Sequence, residues 1–257
     1  MSVRIIKIIM FSFLALPILG NAAGIFVQPG ASMSLGNGTV DMGCADTTIV
    51  GNLNIQSGAF INVRDFTVSG GNVNAGSGQL TLSGNWTNNG TFTPGTSLVA
   101  IQDGCSTTSS ALTGDTDFYD FTTISTSGKT LLVAAGSTQV FNYNLTLEGI
   151  AGNPLLIRSS MVGNQAFFSL DPDGTQNIHA VDVGDNNALG GQWLAPGLPA
   201  DFESVDSGNN FNWFLNTYQP VPVPTLSWLA LIALVLALMT VAFRQRRLLS
   251  PLKHSET

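Results

Sequence analysis

Paired aspartates close to a histidine are the residues whose types and spacing suggest chemistry. Asp182 and Asp185 lie near His179, the only histidine between residues 24 and 224, and Asp171 and Asp173 form a second pair. Two carboxyl groups placed across a glycosidic bond can hydrolyse it. Both pairs, however, are interleaved with Gly or Pro, which is typical of turns. We therefore interpret them as solvated turns and predict no catalytic residue.

Basic side chains are too scattered to complete an enzyme site. Arg64, Lys129 and Arg158 are spread over 95 positions of the chain. There is no glycine-rich phosphate loop, Ser-His-Asp order or metal-ligating pattern in the sequence. We predict a protein that is not an enzyme and has no metal and no cofactor. A carbohydrate-active β-helix enzyme, a glycosidase or lyase, is the alternative.

Two cysteines, Cys44 and Cys105, are the other residues with covalent chemistry. In an exported chain such a pair is expected to be bridged. The bridge would close a loop of about 60 residues and stabilise the fold by about 4 kcal/mol.

The net charge of the chain between its two ends limits the kinds of partner it can bind. Residues 24–224 carry 15 acidic and three basic side chains, a formal charge of −12. Such a surface repels phosphate backbones, so we predict no nucleic-acid binding. A calcium-stabilised surface module is a further hypothesis that this charge suggests.

A repeat indicates how these residues are positioned. The octapeptide GNLNIQSG (51–58) returns as GNVNAGSG (71–78), and Phe66-Thr67 returns as Trp86-Thr87, in both cases after 20 residues. Later, Leu131-Leu132-Val133 is followed after 24 residues by Leu155-Leu156-Ile157. Turns between short strands at this period are typical of one coil of a parallel β-helix.

Short strands with alternating apolar residues, together with abundant Gly, Asn, Thr and Ser, predict an all-β fold. They occur at Leu53/Ile55, Phe66/Val68, Leu80/Leu82, Leu145/Leu147, Phe168/Leu170 and Val181/Val183. We predict a parallel β-helix, or solenoid, with an antiparallel β-sandwich as the alternative. In a regular solenoid Cys44 and Cys105 would be three coils, about 14 Å, apart. A disulfide therefore requires an N-terminal stretch that folds back, or irregular coils.

The N-terminus has the layout of a secretory signal peptide. Basic Arg4 and Lys7 precede an apolar run from Ile8 to Leu19, and small residues follow it. We expect signal peptidase to cleave after Ala22 or Ala23.

The C-terminus has three parts. A Pro-rich spacer (219–225) precedes the uncharged stretch 226–243, which is long enough for one transmembrane helix. Arg244, Arg246 and Arg247 follow as a stop-transfer cluster in a basic cytoplasmic tail (244–257).

The segment at the start of this helix resembles the IPTL-CTERM signal, a relative of the PEP-CTERM signals processed by exosortases. It consists of Val223, Pro224, Thr225, Leu226, Ser227 and Trp228. Val223 stands where the family has Ile, Trp228 comes one residue early, and no Gly follows it. The resemblance implies cleavage near Pro224–Thr225 by an exosortase-type membrane transpeptidase and transfer to a surface acceptor. A permanent single-pass anchor is the alternative.

The region between the two ends, an ectodomain of residues 24–218, is similar to secreted β-helical, filament-like or adhesin-like bacterial surface proteins. The similar stretches are 80–97, 128–140, 151–160 and 205–215. The resemblance implies a β-helix at the cell envelope or cell surface, but no shared active site. We expect an exported structural or adhesive protein, with a cell-surface glycan as a further expected partner.

Overall fold

The computed structural model describes residues 24–214, together with Leu238 and Met239, which are helical. Residues 24–214 form an all-β parallel solenoid of about eight turns. This range contains no α-helix, and its single helical element is a 3-10 turn at Pro199–Phe202. The predicted solenoid is therefore confirmed for the described part of the chain.

Three strands make up each of the first four coils. Coils 1 and 2 consist of Ile25–Val27 (β1), Ser32–Ser34 (β2), Thr39–Asp41 (β3), Thr47–Ile49 (β4), Asn52–Asn54 (β5) and Ala59–Val63 (β6). Coils 3 and 4 consist of Phe66–Val68 (β7), Asn72–Asn74 (β8), Gln79–Leu82 (β9), Trp86–Asn88 (β10), Thr91–Thr93 (β11) and Leu98–Gln102 (β12).

The later coils are less regular, and coils 5 and 6 use fewer and longer strands. Coils 5 and 6 consist of Ser109–Thr113 (β13), Thr116–Ile124 (β14), Thr130–Val133 (β15) and Thr138–Glu148 (β16). Coil 7 consists of Leu155–Ser159 (β17), Ala166–Leu170 (β18) and Thr175–His179 (β19). Coil 8 consists of Val181–Gly184 (β20) and Asn186–Asn187 (β21), and Val205–Asp206 (β22) follows it.

Stacking of the coils produces three parallel sheets. The first sheet has the order β1-β4-β7-β10-β13-β15-β17-β20-β22, and the second has the order β2-β5-β8-β11. The third sheet runs β3-β6-β9-β12-β14-β16-β18-β21, with β19 beside β16. Neighbouring strands pair in parallel throughout these sheets. The antiparallel β-sandwich that the strand pattern also allowed is therefore wrong.

The core follows from the alternation of apolar and polar residues. Every apolar pair by which the sequence identified strands, from Leu53/Ile55 to Val181/Val183, is at most 1% exposed. An aromatic row runs through this core along the stack, because Trp86 stacks on Phe66 at 5.3 Å and also contacts Phe118. Each coil buries its apolar side because its neighbours cover it.

The cross-section changes between coils 4 and 5. The second sheet ends at β11, and the single long strands β14 and β16 then take its place. The repeat length changes with it: Phe66 pairs with Trp86, 20 residues on, whereas Leu131 pairs with Ile157. Residues that pair in those coils are therefore 26 positions apart, and the 24-residue spacing between Leu131 and Leu155 does not give the strand register. An extra turn, closed by hydrogen bonds between Ile150 and Asn153, lengthens that coil.

The predicted transmembrane helix (226–243) lies outside the described residues except for Leu238 and Met239. Within the described part of the chain, no helix has the length and apolar character needed to cross a membrane.

Candidate functional site

Cys44 and Cys105 form a disulfide with their Cα atoms 5.4 Å apart. Cys44 follows β3 in coil 1, and Cys105 follows β12 in coil 4. Both residues have a left-handed backbone, with φ of 68° and 46°. Cys105 lies in an irregular loop (103–108) between β12 and β13, so its distance from Cys44 is not fixed by the regular spacing of the coils.

Lys129 is fully buried beside this loop. Its Nζ donates hydrogen bonds to the backbone oxygen of Ser83 (2.7 Å), to the backbone and hydroxyl oxygens of Thr107 (3.2 and 3.0 Å) and to Ser110 Oγ (3.2 Å). Burial lowers the pKa of Lys129, and the nearby charge of Asp103 opposes that shift. The residue therefore ties coil 6 to the irregular loop, a role that its sequence context does not indicate.

Asp182 connects successive coils. Its Oδ2 lies 2.8 Å from Nη2 of Arg158, on the neighbouring strand β17. Its Oδ1 accepts a hydrogen bond from the Ser207 hydroxyl, just after β22. The carboxylate is thus held between the coil before it and the segment after it.

Asp185 has a separate set of partners. It accepts hydrogen bonds from Asn209 Nδ2 (2.6 Å) and from the backbone N–H of Gly163 (3.1 Å). The Asn209 bond first, and the Gly163 bond second, lower the pKa of Asp185. The Asp182 and Asp185 carboxylates therefore each serve coil stacking.

Asp171 and Asp173 lie in a turn between β18 and β19. The backbone N–H of Gly174 donates to the backbone oxygen of Asp171 (2.9 Å), and the N–H of Asp173 donates to Asp171 Oδ1 (2.9 Å). This is the turn geometry that the Asp-Pro-Asp-Gly sequence favours.

A cleft on the outside of coil 7 gathers residues that the sequence did not bring together. Glu148 and His179 are register partners on β16 and β19, and His179 Nε2 lies 3.7 Å from Glu203 Oε2. These residues are the only glutamates and the only histidine of residues 24–214. The cleft has a volume of about 420 Å³ and is lined by Glu148, His179, Pro196 and Phe202, among others, whereas Glu203 contacts it through His179.

A second outward surface is uncharged and regular. We call it the ladder face: the outward side chains of the second sheet, in two columns, Ser32, Asn52, Asn72 and Thr91, and Ser34, Asn54, Asn74 and Thr93. Asn72 Nδ2 donates to Asn52 Oδ1 (3.1 Å), so neighbouring coils are also linked along this face. The face presents amide and hydroxyl groups at the strand spacing of about 4.8 Å.

The three tryptophans of the described range divide into two kinds. Trp86 and Trp213 are buried in the core, and their indole N–H groups donate to Thr116 Oγ1 and Asn186 Oδ1. Trp193 is 46% exposed. The two tryptophans in strand-like sequence therefore serve packing.

The sorting motif (223–228) and the stop-transfer residues Arg244, Arg246 and Arg247 lie outside the described residues. Within the described ranges, no group of three or more His, Cys, Asp or Glu side chains is arranged to hold a metal ion. Comparison with protein-family models, curated proteins and solved structures finds no match for this chain.

Proposed function

We propose that the chain is an exported, surface-sorted structural or adhesive protein. The observation that carries this proposal is how its polar side chains are used. Asp182, Asp185 and Lys129 hold one coil to the next, and the ladder face is left as a regular, uncharged surface. A rod of this kind is suited to presenting a surface rather than to converting a substrate.

Export and sorting are supported by the two ends of the sequence. Ala22 and Ala23 offer a signal-peptidase site immediately before β1. The segment 223–228 resembles an IPTL-CTERM signal and is followed by the apolar stretch and its arginine cluster. An exosortase-type transpeptidase is the enzyme that this signal would require.

Mass spectrometry of the protein recovered from the cell surface tests this sorting. We expect an N-terminus near Gly24 and a C-terminus near Pro224–Thr225. Pro224→Ala should retain the tail through Thr257, whereas Pro222→Ala in the spacer is the matched control and should still be processed. If every surface copy of the unaltered chain carries Thr257, the protein is a permanent single-pass anchor.

For an adhesive role, the ladder face is suited to a neutral cell-surface glycan. Amide and hydroxyl groups can exchange hydrogen bonds with sugar hydroxyls, and no charge has to be desolvated on this surface. Asn52→Ala with Asn74→Ala should abolish retention on an immobilised neutral glucan. The control Thr48→Ala with Thr67→Ala changes outward residues of the first sheet and should be retained. Equal retention of both variants would exclude the ladder face as the adhesive surface.

The cleft of Glu148 and His179 favours one second candidate, a carbohydrate-active enzyme. Carboxyl groups and an imidazole are groups that serve as general acids and bases. Release of reducing ends from a polysaccharide by the unaltered protein, lost in Glu148→Gln and kept in Asp173→Asn, would establish it. If the unaltered protein releases none, the enzyme hypothesis is excluded for that polysaccharide.

A further inference from the structure

The two ends of the solenoid are finished differently. At the C-terminal end, residues 188–214 cover the last coils, and Leu194, Trp213 and Phe214 are buried against the core. At the N-terminal end, β1, β2 and β3 each pair with one strand only, namely the corresponding strand of coil 2. Within the described residues, the other edge of all three strands is therefore free.

Several apolar side chains of coil 1 show the same asymmetry, although Val27 and Met42 of this coil are buried. Ile25, Met33 and Val40 point toward the core but are only partly buried. By contrast Leu53 and Val73, which continue the column of Met33 in the next coils, are each 1% exposed. Coil 1 thus has an apolar interior like that of the other coils. Within the described residues, however, no coil covers it on its outer side.

Apart from the α-amino group that cleavage would create, charge is also absent from this end. Residues 24–40 contain no charged side chain, although residues 24–224 carry a formal charge of −12. The first acidic residue, Asp41, accepts hydrogen bonds from Asn62 Nδ2 and the Gly43 N–H, and Asp46 is paired with Arg64. Natural proteins usually protect free strand edges with charged side chains, prolines or bulges. Here Pro29 lies in the turn between β1 and β2 and leaves the strands unprotected.

We propose that this N-terminal end binds the same end of a second copy of the chain. A twofold axis that passes beside β2 sets β2 antiparallel to the partner's β2, sets β1 and β3 antiparallel to the partner's β3 and β1, and covers Ile25, Met33 and Val40. The proposal rests on the export proposed above. Cleavage after Ala22 or Ala23 leaves the mature N-terminus at the start of β1, so that no preceding segment remains to cover the edge. Because this pairing joins two identical ends through a twofold axis, it closes as a dimer.

Lysines on the free edge test the pairing. The variant Ser32→Lys with Ser34→Lys adds two exposed charges on β2, where they meet the equivalent charges of the partner copy across the interface. Thr91→Lys with Thr93→Lys is the matched control, because these residues continue the same two columns on β11, three coils away from the open end. Both variants change outward, exposed side chains, so their melting temperatures should match that of the unaltered chain.

The full chain, secreted with its own signal and extracted in mild detergent, is measured by sedimentation and light scattering, and its N-terminus is read by mass spectrometry. We expect a dimer for the unaltered chain and for the Thr91/Thr93 control. For the Ser32/Ser34 variant we expect the dissociation constant of the dimer to rise at least about tenfold. The reason is that like charges oppose each other across paired strands.

The outcomes separate this proposal from the export on which it rests. A monomer whose N-terminus lies at Gly24 overturns the pairing and leaves export intact. A dimer that the Ser32/Ser34 lysines do not weaken also overturns it, since the contact then lies elsewhere. A chain that retains residues 1–23 contradicts the processing, and if it is monomeric, it overturns the pairing as well. A dimer that only the Ser32/Ser34 lysines dissociate supports the pairing, whichever N-terminus is found.

Discussion

Lys129 occupies a fully buried position beside the irregular loop (103–108). Its four hydrogen bonds go to uncharged oxygens of Ser83, Thr107 and Ser110. Burying an ammonium group costs free energy, and hydrogen bonds offset only part of that cost. The side chain therefore positions the disulfide-bearing loop at some expense of stability.

The lowered pKa of Lys129 predicts how stability depends on pH. Above the folded-state pKa and up to the ordinary value of 10.5, the unfolded chain binds more protons at this site than the folded chain does. The free energy of unfolding should therefore rise as the pH is raised through this range. Denaturant midpoints measured at a series of pH values from 7 upward test this prediction.

Lys129→Met is the control, because it removes the titrating group and keeps every other ionisable side chain. The increase in the free energy of unfolding with pH should be smaller in this variant than in the unaltered protein. Identical pH profiles would show that Lys129 is not the source of the change.

A column of glycines allows the coils to approach closely at one corner of the solenoid. Gly51, Gly71 and Gly90 occupy equivalent positions in successive coils, and a Cβ atom on Gly71 would lie 2.5 Å from the backbone oxygen of Gly51. Since backbone lies on the other side of this contact, a flexible side chain cannot yield to relieve it.

Gly71→Ala should therefore lower the free energy of unfolding by about 1–3 kcal/mol, because the coils must move apart. Thermal or denaturant unfolding measures the effect. Ser69→Ala, two residues earlier on the exposed surface, should change it by less than about 0.5 kcal/mol. A loss in Gly71→Ala no greater than in this control would contradict the close approach.

The early coils could be predicted from the sequence because their turns repeat. The 20-residue spacing of GNLNIQSG and GNVNAGSG matches the register in which Asn52 pairs with Asn72 and Leu53 with Val73. Gly, Asn and Ser recur at the same points of coils 2 and 3, so the sequence itself carries the period.

The later coils could not be predicted in the same way. Their turns differ in length, so the spacing of apolar segments such as Leu131–Val133 and Leu155–Ile157 does not reveal which residues pair. The cleft was missed for the same reason: Glu148 and His179 come together only through the pairing of β16 with β19. The signal that could have found it is their rarity: residues 24–214 contain only two glutamates and one histidine.

At the level of the whole molecule, the disulfide connects coil 1 to coil 4 across 61 residues. Replacing both cysteines by serine in Cys44→Ser/Cys105→Ser should lower the free energy of unfolding by about 4 kcal/mol, because the unfolded chain gains freedom. Denaturant unfolding of the two proteins, each with and without reductant, measures the loss. Reductant should act on the unaltered protein and leave the variant unchanged. A difference below about 1 kcal/mol would mean that the irregular loop stores strain that cancels the benefit.

The position of this disulfide has a mechanical consequence. If the protein is tethered through its C-terminus, a pulling force enters at the capped end and peels coils 8 to 5 away in turn. The covalent bond between Cys44 and Cys105 then halts the peeling, because residues 44–105 cannot be drawn out to full length. Before that point, the residues between Cys105 and residue 214 can extend to roughly 370 Å. Under force, the C-terminal coils would therefore unfold and extend, while the disulfide-linked coils 1 to 4 stay folded.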